Sequence, residues 1–287
     1  MTAKLSIVIP ARNEEASIVP VVEGLLAQTR TPAEIIVVDD DSTDRTREVL
    51  APLTLAGKVR LVRHSRQRGY GACLKSGIHQ AQGEWVAILD GDGTYPTDRL
   101  DEFLAAAEHA EMVVGARSGD VVIEPWLRSL VKRLIRFLLR FLARIEVPDL
   151  NSGLRLFRKA AAQKYFHLLP DGLSFTATLT LVLLSEGYPV EFLPVNYFPR
   201  QGRSKFHPVR DTGNLLVLLL RTILYFNPLK VFVPLSLLLV LIALFVALFS
   251  IFYLGKFMDV TTVVILLSAV QVFVLGLLAD LITKLKR

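Results

Sequence analysis

The sequence predicts an α/β head followed by two membrane-spanning helices. Three observations carry this reading. Short apolar runs rich in β-branched residues alternate with helix-period segments through residues 5–116, acidic residues gather at the ends of three of those runs, and two long uncharged apolar stretches, 231–253 and 260–279, lie near the end of the 287-residue chain.

The runs 5–10, 34–40, 59–64, 85–90 and 112–116 read as strands, and the segments 14–28, 43–53, 70–82 and 97–109 read as helices between them. Continuous apolar strands alternating with helices imply a mostly parallel sheet covered on both faces. In such a sheet the ligand sits beyond the carboxyl ends of the strands. Those ends carry Ile9-Pro10-Ala11-Arg12-Asn13-Glu14-Glu15, Asp39-Asp40-Asp41-Ser42-Thr43-Asp44 and Asp90-Gly91-Asp92-Gly93-Thr94. Ser42 and Asp44 suit a helix cap as well as a ligand role, whereas Asp39 and Asp40 end the strand itself. Two aspartates one residue apart, with glycines that admit close approach, make Asp90 and Asp92 a hard-oxygen site for Mg²⁺ or Mn²⁺ on a diphosphate. Taken alone the same four residues would equally form an Asp-Gly turn. Gly69-Tyr70-Gly71 reads as a tight turn before a helix whose N–H groups face donor phosphates, Lys75 as a solvated side chain, and His64, His79 and His109 as residues without a role.

In 126–145, Arg128, Lys132, Arg136, Arg140 and Arg144 recur every fourth residue beside Arg133, among Leu, Val, Ile, Phe and Ala. A helix would present a basic stripe against a broad apolar face, which suits the membrane interface. Packing against the soluble core is the competing reading. A lipid phosphate gripped by Arg128, Lys132, Arg133 or Arg136 would approach the acidic edge near Asp149–Arg155. A second apolar helix, 215–226, leads into the first span.

At ~1.5 Å per residue each terminal stretch spans a bilayer core of about 30 Å. The loop 254–259 carries one charge of each sign, while Arg221, Lys230, Lys284, Lys286 and Arg287 flank the outer ends. Both termini and the head are therefore expected in the cytoplasm, with no export signal at the N-terminus, and a prokaryotic plasma membrane is the expected location. The single Cys73 agrees with a reducing compartment. The charge of +6 is assigned to anionic lipid rather than nucleic acid because the basic residues concentrate towards the membrane-proximal half. The expected organisation is a head over 1–210, a juxtamembrane helix over 211–229 and the hairpin over 230–287.

The chain resembles the family-2 glycosyltransferases of GT-A fold, a Rossmann-like, mixed but mostly parallel sheet, and within them the polyprenyl-phosphate and dolichyl-phosphate sugar transferases. The resemblance rests on residues 5–14, 36–44, Gly69-Tyr70-Gly71-Ala72, Leu89-Asp90-Gly91-Asp92, Asp149-Leu150-Asn151-Ser152-Gly153-Leu154-Arg155 and Arg200-Gln201-Gly202-Arg203-Ser204-Lys205. It implies that Pro10, Arg12, Glu14, Asp39, Asp40, Asp90 and Arg117 bind the nucleotide-sugar. Asp90 and Asp92 would hold the metal, with Asp92 also counted as catalytic, and Arg200, Arg203 and Lys205 would lie near the phosphates unless they only set topology. It further implies inversion at the anomeric carbon, with Asp149 either the base or a residue that orients the acceptor or holds an arginine. Thr94 stands where some relatives have a glutamine, which leaves its part open.

The implied reaction moves a sugar from a nucleotide-sugar, UDP-glucose first, to undecaprenyl or dolichyl phosphate. GDP-mannose and an aminosugar donor are the alternatives, and a homo-oligomer is left open. A processive polysaccharide synthase would carry more spans and a Gln-x-x-Arg-Trp motif, a setting that neither Trp85 nor Trp126 occupies. A non-catalytic membrane scaffold would not need the intact Asp90/Asp92 pair.

Overall fold

The computed structural model describes residues 5–28, 30–118, 147–199, 217, 224–225, 227–253, 255 and 259–285. Contacts divide the chain into two compact units, Met1–Leu215 and Leu216–Arg287.

The first unit is built on a seven-stranded sheet. Its strands are β1 (Leu5–Ala11), β2 (Ala33–Asp39), β3 (Arg60–Arg63), β4 (Trp85–Ile88), β5 (Met112–Ser118), β6 (Arg155–Arg158) and β7 (Val190–Asn196). They lie in the order β3-β2-β1-β4-β6-β5-β7. β6 is antiparallel to both neighbours and every other pair is parallel. Because β6 runs backwards, its start, Arg155, pairs with Ile88 and Val114. The segment entering β6 therefore arrives at the same edge as the ends of β1, β2 and β4.

Helices α1 (Ile18–Gln28), α2 (Thr46–Leu55), α3 (Tyr70–Gln80), α4 (Leu100–Ala106), α5 (Lys159–Lys164) and α6 (Phe175–Ser185) accompany the sheet. β1 is buried on both faces except at Pro10, as its unbroken apolar run demands. α3 packs on β1 and β2 at close range through Gly77, where a Cβ would stand 2.3 Å from Val8 Cγ1. α6 is buried along Phe175–Leu184. Its threonines tolerate this because Thr178 and Thr180 donate back to the carbonyls of Ser174 and Thr176.

The second unit contains α7 (Leu229–Tyr253) and α8 (Asp259–Leu285), both long and apolar enough to cross a bilayer. The residues they bury are small and spaced by seven, Ser236, Ala243 and Ser250 on one helix and Thr262, Ala269 and Gly276 on the other. Phe232 sits on Gly276, where a Cβ would approach to 2.5 Å. Large apolar side chains point outward along both helices, the reverse of a soluble helix pair and the arrangement expected in lipid.

Candidate active site

Three loops at the carboxyl ends of β1, β2 and β4 are tied together before any ligand is considered. Asn13, in the left-handed region at φ 56°, accepts the Thr43 N–H at 2.8 Å through its side chain, and its own N–H donates to Ser42 Oγ at 3.0 Å. The Glu14 N–H donates to Thr46 Oγ1 at 2.9 Å, and Ser17 Oγ donates to the Gly91 carbonyl at 2.8 Å. Asp44 accepts both the N–H and the hydroxyl of Thr46, the first residue of α2. Pro10 and Arg12 are half-buried at the end of β1, and Glu14 is buried.

Asp39 closes β2. It is fully buried, its Oδ1 accepts the Ser42 N–H, and Arg47 Nε lies 2.8 Å from its Oδ2. It thereby links the loop after β2 to α2. Asp40, the next residue, is also buried. Its Oδ1 accepts His64 Nδ1–H and the Arg68 N–H, and its Oδ2 accepts the Gly69 N–H, all at 2.8 Å. Burial pushes the Asp40 carboxyl upward, but the hydrogen bonds from His64, Arg68 and Gly69 outweigh it and hold the group below its ordinary value.

His64, given no role from the sequence, is thus a partner of Asp40, and its Nε2 meets Ser76 Oγ at 2.9 Å. Only tertiary proximity reveals it, since no ligand spacing links residues 40, 64 and 76. Asp40, His64 and Cys73 bring ligand-type atoms within 4.8 Å of one another. Their donor set does not suit a metal. The imidazole and carboxylate are already hydrogen-bonded, and burial followed by the nearby Asp40 pushes the Cys73 thiol well up, so it stays protonated.

Gly69-Tyr70-Gly71 joins the two acidic groups. Gly69, at φ 104°, donates to Asp40, and the adjoining Tyr70 donates its hydroxyl to Asp90 Oδ1 at 2.8 Å. Burial and then Asp90 push the Tyr70 phenol well above its ordinary value. The following residues of α3 are tied to the segment before α6. The Ala72 N–H donates to the Asp171 carbonyl at 3.1 Å, and Lys75 pairs with the Asp171 carboxylate at 2.7 Å.

Asp92 is buried, with its Oδ1 accepting the Thr94 N–H and, at 2.6 Å, the Thr94 hydroxyl. Thr94 orients Asp92, and its carbonyl accepts the Phe198 N–H at 2.9 Å from the end of β7. Asp90 rests against Gly153, where a Cβ would stand 2.0 Å from Asp90 Oδ2. The Gly153 N–H donates to the Tyr95 oxygen at 2.7 Å, and burial, with Asp90 next, pushes the Tyr95 phenol to about 12. Two carboxylates steadied by hydroxyl donors form a hard-oxygen set that fits Mg²⁺ or Mn²⁺.

Asp149 is held in a fork by Arg117, with Nε to Oδ2 at 2.6 Å and Nη2 to Oδ1 at 2.9 Å, and the N–H groups of Arg117 and Asn151 donate to it as well. Burial raises its carboxyl, yet Arg117 prevails and keeps it below its ordinary value. This matches the alternative in which Asp149 holds an arginine, since a carboxylate so paired is a weak base. Arg117 also lies over the Tyr197 ring at 5.3 Å, and Tyr197 meets Tyr95 edge-on. Beneath this loop Arg155 is fully buried and donates to the carbonyls of Leu150, Ser152 and Thr176. Arg200, Arg203, Lys205 and the stripe residues Arg128, Lys132, Arg133 and Arg136 lie outside the described residues.

A mixed sheet with this acidic edge is the architecture of a glycosyltransferase. The sequence profile of Glycosyl transferase family 2 matches residues 6–166, more than half of the chain, and the chain belongs to that family. A second profile, the GtrB C-terminal hairpin, matches residues 227–285, which marks the protein as membrane-anchored.

Among curated relatives, Polyprenol monophosphomannose synthase of Mycolicibacterium smegmatis is 26% identical over 70% of this chain and 79% of its own length. Human Dolichyl-phosphate beta-glucosyltransferase is 28% identical over 72% and 71%. Succinoglycan biosynthesis protein ExoO of Rhizobium meliloti is 36% identical over 41% of this chain, and the match spans only 34% of that protein. Glucosyl-3-phosphoglycerate synthase of Mycobacterium tuberculosis, solved with Mn²⁺, uridine diphosphate and glucosyl-3-phosphoglycerate, superposes with a TM-score of 0.60 at 20% identity, covering 77% of this chain and 80% of that one. The same enzyme solved with Mg²⁺ and uridine diphosphate gives 0.59 at 18% identity, covering 77% and 79%. The fold is GT-A.

Two outcomes follow from the loop that enters β6. Gly153→Ala should force the Asp90 carboxylate aside and lower sugar transfer about 10–100-fold, as a displacement near 1 Å commonly does. Its thermal midpoint in detergent should stay within about 3 °C of wild type. For Asp149, the folded-state value lies below the unfolded one. Its contribution to stability is therefore complete above about pH 4 and is lost as pH falls through the folded value. Denaturant titrations should show wild type losing more stability than Asp149→Asn as pH is lowered from about 5 towards 2.

Proposed function

We propose that this membrane-anchored glycosyltransferase moves a hexose from a nucleotide-sugar to a polyprenyl phosphate at the cytoplasmic face of the membrane. The observation that carries the reading is the presence in one chain of the Asp40/Asp90/Asp92 edge and a hairpin matching the GtrB C-terminal profile. Two relatives covering more than 70% of their own length are named for transfer to polyprenol or dolichyl phosphate. UDP-glucose is the donor we favour, and GDP-mannose, supported by the mycobacterial synthase, is the second reading.

In this reading Asp40 faces the nucleoside, beside Pro10, Arg12 and Glu14. Asp90 and Asp92 would hold Mg²⁺ or Mn²⁺, which supplies charge neutralisation for the diphosphate. An oxygen of the acceptor phosphate forms the new bond to the anomeric carbon from the side opposite the leaving group. The bond from that carbon to the diphosphate oxygen breaks, and the nucleoside diphosphate departs with the electron pair. Arg117, braced by Asp149, presents a fixed cation to a phosphate. No strong base is required, since a phosphate monoester loses its second proton near pH ~6. Arg200, Arg203 and Lys205 complete the phosphate-binding set, and Arg128, Lys132, Arg133 and Arg136 guide the lipid phosphate.

The test is a screen of labelled nucleotide-sugars with undecaprenyl and dolichyl phosphate in detergent. We expect a metal-dependent polyprenyl-phosphate hexose, and Asp92→Asn should lower its formation by about 100-fold or more with the fold retained. Transfer to water-soluble acceptors alone, or wild-type turnover by the variant, would refute the reading.

The cytoplasmic orientation has its own test in a cysteine-less background made by replacing Cys73. A cysteine in the 256–259 loop should react with an impermeant thiol reagent added outside intact cells, and one at Lys284 should not. The reverse pattern would place the head on the other side.

A further inference from the structure

Tyr70 stands between the two ends of the acidic edge, and neither the fold nor the family match assigns it a part. It is the first residue of α3, and its hydroxyl donates to Asp90 Oδ1 at 2.8 Å. The preceding N–H, of Gly69, donates to Asp40 Oδ2 at the same distance. Two consecutive residues therefore grip carboxylates delivered by two different strands, β2 and β4.

The turn that holds them has little freedom. Gly69 adopts φ 104°, a conformation that side chains disfavour, and a Cβ there would stand 2.6 Å from the Asp171 carbonyl oxygen. At Gly71 a Cβ would stand 2.2 Å from the Pro170 carbonyl oxygen. The segment Pro170-Asp171-Gly172 thus presses directly on the turn, and the Ala72 N–H and Lys75 fasten it there. On its far side the Asp90 carboxylate meets Gly153. Tyr70 and Gly153 together restrict the directions in which that carboxylate can point.

We propose that Tyr70 is a positioning residue, which aims Asp90 at the metal-bound diphosphate and, through Gly69, ties that aim to the Asp40 end of the donor site. The proposal rests on the reading of Asp90 and Asp92 as the metal–diphosphate site. It concerns one hydroxyl, so Tyr70→Phe isolates it while keeping the ring.

The experiment titrates Mn²⁺ by electron paramagnetic resonance into detergent-solubilised wild type, Tyr70→Phe, Asp90→Asn and the double variant, each with saturating uridine diphosphate. Thermal midpoints and the Mn²⁺ dependence of transfer are measured on the same samples. Tyr70→Phe should weaken Mn²⁺ binding by about 10–100-fold and raise the Mn²⁺ concentration for half-maximal transfer by the same factor, the size expected when one hydrogen bond to a charged group is lost. Its thermal midpoint should stay within about 2 °C. In the Asp90→Asn background, removal of the hydroxyl should add little, because Tyr70 acts through that carboxylate.

Unchanged Mn²⁺ affinity in Tyr70→Phe would overturn the proposal, whether or not the midpoint falls, and a fall would assign the hydroxyl to packing. Full additivity of the two substitutions would overturn it as well. Asp92→Asn, titrated alongside, separates this from a failure of the underlying reading. Mn²⁺ binding that survives Asp92→Asn and Asp90→Asn would refute the metal site, whereas loss in both with no effect of Tyr70→Phe would refute Tyr70 alone.

Discussion

Carboxylates brought together at the ends of parallel strands repel one another and lose hydration, and the head of this protein is organised around giving each a donor. Asp39 has Arg47, Asp40 has His64 with two backbone N–H groups, Asp90 has Tyr70, Asp92 has Thr94 and Asp149 has Arg117. The donors differ in kind. Asp39 and Asp149 are paired to arginines. Asp40, Asp90 and Asp92 accept instead from an imidazole, hydroxyls and backbone N–H groups, and in the function we propose these three serve the ligand.

The strands and helices of the first 118 residues were legible because their apolar runs have the length and composition of buried parallel strands, and the acidic turns fall just beyond them. β6 was not. It is four residues long, begins and ends in arginine, and takes its place between β4 and β5 through long-range pairing that no local pattern announces. The acidic residues were legible as a group but not one by one. Asp39 and Asp40 are neighbours in sequence, yet one pairs with Arg47 and the other with His64 and two backbone N–H groups, as alternation along a strand would divide them. The contacts of His64 and Tyr70 were not legible because each meets a carboxylate twenty or more positions away. Lone histidines and turn tyrosines carry no signature of such a contact.

Glycines do much of the joining at this edge. At Gly153 the missing side chain is the space that the Asp90 carboxylate occupies, and at Gly71 it is the space that the Pro170 carbonyl occupies. Both lie in segments remote in sequence from what they touch. The family resemblance at these positions therefore reflects close backbone approach as much as ligand contact.

The seven-residue spacing of small residues in the hairpin has a consequence for the bilayer around it. Helices of 25 and 27 residues are roughly 38–40 Å long at ~1.5 Å per residue, more than the ~30 Å hydrocarbon core. A pair meshed through Ser236, Ala243 and Ser250 against Thr262, Ala269 and Gly276 cannot slide by a residue or two without placing bulky side chains on one another. Where the surrounding bilayer is thinner than the pair, leaning as a single body is open to it, and sliding is not.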